Sequence, residues 1–127
     1  MDLLVSVERP TGQELSSPPV TSSAQARDRV AEARERQRAR LASEPASCNG
    51  ELDGRLLSRY VRLEEPAERV IGRAYATGAL SARGRDRVLR VARTLADLQH
   101  RDRVTGEDVL TALSLRQRSS SEGALAA

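Results

Sequence analysis

The stretch LSARGRDRVLRVARTLADL, Leu80 to Leu98, decides the fold. Ser81 is a helix-capping residue, and the apolar positions behind it recur at helical spacing. At 100° per residue, Gly84, Val88, Ala92, Leu95 and Gln99 share one arc, which Leu89, Val91, Ala96 and Leu98 widen into a buried face. Arg83, Arg87 and Arg90 form a separate stripe, and Asp86, Arg93 and Asp97 fall on the back, where solvation is the simplest expectation. The helix opens with Arg83, Arg85 and Arg87 in its first two turns. Cations near a helix N-terminus oppose the backbone dipole at a cost of about 0.3–1 kcal/mol each when exposed. An anion reverses that cost, because a guanidinium at Arg83, the unpaired amides of the first turn and the dipole would all point to it, as at phosphate sites on helix N-termini.

Working outward, four more helices are expected. Residues 22–42 have strong helical propensity but only a thin stripe of Val30, Ala33, Gln37 and Leu41, with Glu32 and Arg36 as an i,i+4 pair. A second helix lies around ELDGRLLSRYVRL and buries Leu52, Leu56, Leu57 and Tyr60. In a third, near EEPAERVIGRAYATGA, Pro66 sits in the first turn, where it is tolerated, and Val70, Ile71 and Ala74 face inward. The helix at 80–98 is the fourth. The last begins at VTGEDVLTAL, where Thr105 and Asp108 have capping-box spacing and Val109, Ala112 and Leu113 face the core. At the front, MDLLVSVERP alternates as a short strand would, and the Ser- and Pro-rich residues after it read as a linker. The expected organisation is a strand and linker at 1–21, an all-α bundle of about five helices at 22–118, and a disordered tail at 119–127.

Composition agrees with close helix packing. The 127 residues contain no Phe or Trp and only Tyr60 and Tyr75, so Leu, Val, Ile and Ala must fill the core. All 21 basic residues are arginine, which we read as genome base composition and not as recognition. The net charge of +3 is interspersed, a balance that permits an anionic partner without demanding one. One cysteine, Cys48, rules out an internal disulfide, and one histidine, His100, leaves no cluster with metal-ligand spacing. A reducing, cytoplasmic location is the simplest expectation. No apolar run approaches the roughly 20 residues of a membrane span.

Cys48 and His100 lie far apart in sequence, at the ends of different elements, so a nucleophile–base pair is not expected. Asn49 reads as a helix cap and His100 as a C-terminal residue that complements the helix dipole. The arginines of the first helix surround it and line no single edge, so a solvated charged helix is expected there.

Together, CNGELDGRLLSRYVRL (48–63) and LSARGRDRVLRVARTLADLQHRDRVTGEDVLTALSLRQR (80–118) resemble the C-terminal helical domain of magnesium-chelatase-like AAA+ ATPases, particularly the ComM (YifB) branch. The resemblance covers about residues 24–118, and DLLVSV at the front is similar to the last part of that family's ATPase core. It implies a small lid that folds over ATP and Mg2+ held by an upstream AAA+ core. The arginine of the SAR element, Arg83, would be sensor 2, reaching the γ-phosphate, with Arg87 as possible support. It further implies a homo-hexameric parent coupling ATP hydrolysis to movement on branched DNA in recombination. The lid of a magnesium chelatase subunit and a freestanding helical DNA-binding module are the alternatives. The chain has no GxxxxGK[ST] loop, so no enzymatic activity is expected of it alone. It departs from the family at Arg85, where an aromatic is common, at Gly50 in place of Ala, and at Asp108 in place of a frequent His.

Overall fold

A computed structural model describes the backbone of residues 3–126 and the side chains of residues 3–116; where a disordered tail is expected at 119–127, α6 continues to Ala126. The helices are α1 (Gly12–Ser16), α2 (Ser23–Arg40), α3 (Gly54–Tyr60), α4 (Glu65–Ala76), α5 (Ala82–Leu98) and α6 (Gly106–Ala126), with a 3-10 turn at Asn49–Glu51 before α3. The all-α bundle is as the sequence predicts. Residues 3–10 are not the expected strand: they carry no regular structure, and Val5 and Val7 are exposed. The physical reason is the absence of a partner, since a single strand leaves its backbone hydrogen bonds unmade. The linker contains the short α1, held by a capping box between Thr11 and Glu14.

Each later boundary has a local cause. Ser22 accepts from the Gln25 amide, Asp53 from that of Leu56 and Ser81 from that of Gly84, each supplying a first-turn acceptor. Asp108 and Thr105 cap one another reciprocally at the start of α6, at 2.9 and 3.3 Å. Pro66 occupies the first turn of α4. That helix ends at Gly78, whose φ of 75° is the left-handed conformation that a side chain disfavours. At the end of α5 the chain turns through His100, φ 57°, with the Arg101 amide on the Ala96 carbonyl and the His100 amide on that of Asp97. This is a Schellman turn with histidine where glycine is usual.

The core is one aliphatic cluster. Leu52, Leu56 and Leu57 meet Ala67 and Ile71 of α4, Val88, Ala92 and Ala96 of α5, and Val109 and Ala112 of α6. Gly106 lets α6 start against Pro66, because a Cβ there would lie 3.3 Å from the proline Cβ. Gly72, inside α4, has no such reason: among the described residues nothing lies within 4 Å of where its Cβ would stand. A helix-interior glycine costs about 0.5–1 kcal/mol relative to alanine. Between helices, Leu63 and Val104 form a parallel bridge; the Glu64 amide donates to the Val104 carbonyl at 2.9 Å, and the Val104 amide to that of Arg62 at 2.8 Å.

The sequence misplaces the back of α5. Arg93 and Asp97 are not solvated; both are 0 % exposed, covered by α2 and the 3-10 turn. Asp97 accepts from Asn49 Nδ2 at 2.8 Å, from both terminal nitrogens of Arg40, and lies 3.1 Å from Arg93 Nη2. Arg93 also donates to the carbonyls of Asp102, at 2.6 Å, and Arg101. Burial pushes the Arg93 guanidinium below its ordinary range, and the Asp97 charge opposes that shift. Asn49 is accordingly not a cap: its side chain bonds Asp97 and Thr94, and its amide donates to Gln37 Oε1 at 3.0 Å. Asp53 takes the capping role for α3. No helix among the described residues is long and apolar enough to cross a membrane.

Candidate functional site

The site is the N-terminal end of α5. Leu80, 4 % exposed, anchors it by donating its amide to the Ala74 carbonyl at 3.1 Å, so the turn after α4 sets where α5 begins. Ser81 Oγ satisfies the Gly84 amide at 3.0 Å. The amides of Ala82 and Arg83 come before the first intrahelical acceptor is available, which leaves two exposed donors at the positive end of the dipole.

The three early arginines separate here. Arg83 is exposed, and among the described residues it has neither hydrogen bond nor ion pair. Arg87 is half-buried and already engaged within the chain. Arg85 lies on another side, half-buried in a hollow that Leu89 also lines, with its guanidinium 3.7 Å from Asp86. Arg90, grouped with Arg83 and Arg87 by periodicity, turns away and donates to the Leu52 carbonyl at 2.8 Å.

A further residue joins the site from α6. The Arg116 guanidinium covers Gly84, with Nη2 3.0 Å from where a Cβ would be. Nothing in the spacing of Arg116 announces this; the one signal is the small residue at Gly84, since any side chain there would displace it. Exposed amides, a free guanidinium at Arg83 and Arg116 nearby form an arrangement suited to a multiply charged anion such as a terminal phosphate. Among the described residues, no group of three or more His, Cys, Asp and Glu could hold a metal ion.

The other singled-out side chains are placed elsewhere. His100 Nε2 lies 3.2 Å from Glu32, whereas Cys48 lines a separate hollow of about 320 Å3 between α2 and α5. Arginines of α2 are more than a solvated face, since Arg40 reaches Asp97 and Arg36 reaches Asp102 at 2.8 Å.

Comparison with known proteins agrees with this architecture. Residues 20–116 match the family described as magnesium chelatase, subunit ChlI C-terminal. Uncharacterized proteins of Mycobacterium bovis (Mb2921c) and Mycobacterium tuberculosis (Rv2897c) are each 39% identical over 117 residues, which is 92% of this chain and 23% of theirs. The chain thus spans about a quarter of the length of these relatives.

Proposed function

Because the chain belongs to the magnesium chelatase ChlI C-terminal family, whose members are lids of magnesium-chelatase-like AAA+ proteins, we propose that Arg83 is its nucleotide sensor. The observation that carries this reading is that Arg83, alone of the three arginines opening α5, is exposed and unpaired among the described residues at the positive end of the helix. Such an arginine is unfavourable by itself and favourable once a phosphate arrives. Arg87 supports it from the next turn, and Arg116 adds positive potential over Gly84.

ATP and Mg2+ would be held by the AAA+ core of a longer protein, which also supplies the chemistry of hydrolysis. This chain's residues bind and report: Arg83 contacts the γ-phosphate, and its loss on hydrolysis releases the α5 end, so that nucleotide state becomes movement of the lid. We assign the parent to the ComM type on the CNGEL and VARTLADL segments, which makes a homo-hexamer moving on branched DNA the proposed assembly. The relatives extend far beyond this domain, and that favours a lid over a freestanding DNA-binding module.

The test is Arg83→Ala in the longer parent. Losing a buried arginine–phosphate contact costs about 2–5 kcal/mol, so ATP turnover should fall by about 30-fold or more while the domain stays folded. Turnover close to that of the unmutated protein would end the sensor assignment.

A further inference from the structure

The side of the bundle carrying Arg85 holds two adjoining hollows of about 450 and 560 Å3, which share Leu63, Glu68 and Arg85. One is basic. The Leu63–Val104 bridge fixes Arg62 and Arg103 on neighbouring segments, and both line this hollow together with Arg85. Arg62 and Arg103 are exposed, and among the described residues neither side chain has a hydrogen-bond or ion-pair partner. Glu68 and Asp86 are the carboxylates on the walls, and Asp86 faces Arg85.

The other hollow is apolar in part. Ile71, Gly72 and Tyr75 of α4, with Leu63 and Ala82, form its apolar portion beside Glu68, Arg85 and Asp86, and Tyr75 is half-exposed there. Gly72 lies in this wall, and it is the helix-interior glycine whose missing side chain serves no packing among the described residues. A glycine on a wall deepens it and lets a partner approach the helix backbone closely.

We propose that this groove docks an acidic, amphipathic peptide segment. One apolar side chain of the segment would sit over Gly72 between Tyr75 and Leu63, and its flanking carboxylates would pair with Arg62 and Arg103. Charge complementarity selects the acidic partner. The apolar half selects a peptide over a nucleic-acid backbone, because phosphates alone would leave the Tyr75 and Ile71 surface uncovered. The groove does not involve Arg83, so the proposal is independent of the nucleotide-sensor reading.

The probe is a short fluorescein-labelled peptide of Glu and Asp with a central Leu, titrated with the 127-residue chain and followed by anisotropy. Saturable binding is expected, weakened about tenfold or more by the double variant Arg62→Glu, Arg103→Glu, as for loss of interfacial charge pairs. Gly72→Leu should weaken it similarly with the circular dichroism spectrum unchanged, because its side chain enters open space. A peptide with Ser in place of the central Leu should bind more weakly. Absence of saturable binding, equal binding of the Leu and Ser peptides, or indifference to Gly72→Leu would each overturn the proposal. Displacement of the peptide by short duplex DNA with the same arginine dependence would reassign the groove to nucleic acid.

Discussion

Asp97 Oδ1 lies 3.1 Å from Nη2 of Arg93, one turn earlier on α5, and neither side chain has exposed surface. Two opposite charges in the interior persist only when their remaining polar atoms are also satisfied. Here Arg40 and Asn49 complete Asp97, while two backbone carbonyls complete the terminal nitrogens of Arg93. Among the described residues the Nε of Arg93 is left without a partner, so the cluster is nearly closed and intolerant of losing a member.

Asp97→Asn keeps the shape and removes the charge that balances Arg93 and Arg40. Breaking a buried pair in this way costs about 3–5 kcal/mol. Urea unfolding monitored by circular dichroism should show a loss of that size, and a change below about 1 kcal/mol would mean the pair behaves as a surface one.

Arg83 and Arg93 share α5 and should respond oppositely to truncation. Arg83→Ala touches an exposed side chain with no partner among the described residues and should alter stability by less than about 0.5 kcal/mol. Arg93→Ala strips the Arg101 and Asp102 carbonyls of their donor and opens space beside Asp97, for an expected loss on the order of 3 kcal/mol. Paired unfolding curves check both; equal effects would contradict the burial described here.

Gly72→Ala should stabilise the chain by about 0.5–1 kcal/mol, because the new methyl group meets nothing among the described residues and the helix gains propensity. For a domain of this size that is a rise in Tm of about 2–8 °C. A fall in Tm would show that the space above Gly72 is filled.

Glu51 accepts from the Ser47 amide at 2.6 Å and from its hydroxyl at 3.1 Å, and the backbone bond, followed by the hydroxyl, holds its carboxyl below the ordinary value of 4.5. A lowered folded-state pKa means that the ionised form is the one stabilised. Its contribution is fully present above 4.5 and is lost as pH falls through the lower folded value. Glu51→Gln should therefore flatten the acid limb of the stability–pH curve and leave its shape near neutrality unchanged. An unchanged acid limb would count against the Ser47 bonds.

Legibility of the sequence followed the range of the forces involved. The caps at Ser81 and Thr105, Pro66 in the first turn of α4 and the aliphatic face of α5 were all readable, because each is settled within a turn or two of chain. The burial of Arg93 and Asp97 was not. Their partners Arg40 and Asn49 are 57 and 48 residues from Asp97, and charged residues opposite an apolar arc read as solvated until those partners are known. The same limit hid Arg116 over Gly84 and turned Asn49 from a cap into an interior bridge. At 3–10 the alternating pattern was genuine, but strand formation depends on a neighbour that local pattern does not supply.

The bridge between Leu63 and Val104 makes the intervening stretch a closed ring: chain runs from one to the other through α4 and α5, and two amide hydrogen bonds tie its ends. While the tie holds, the start of α4 and the segment after α5 stay side by side even if one of the helices frays. Amide exchange at Glu64 and Val104 therefore reports opening of the tie, and it should be slower than is usual for connecting segments because both amides are hydrogen-bonded.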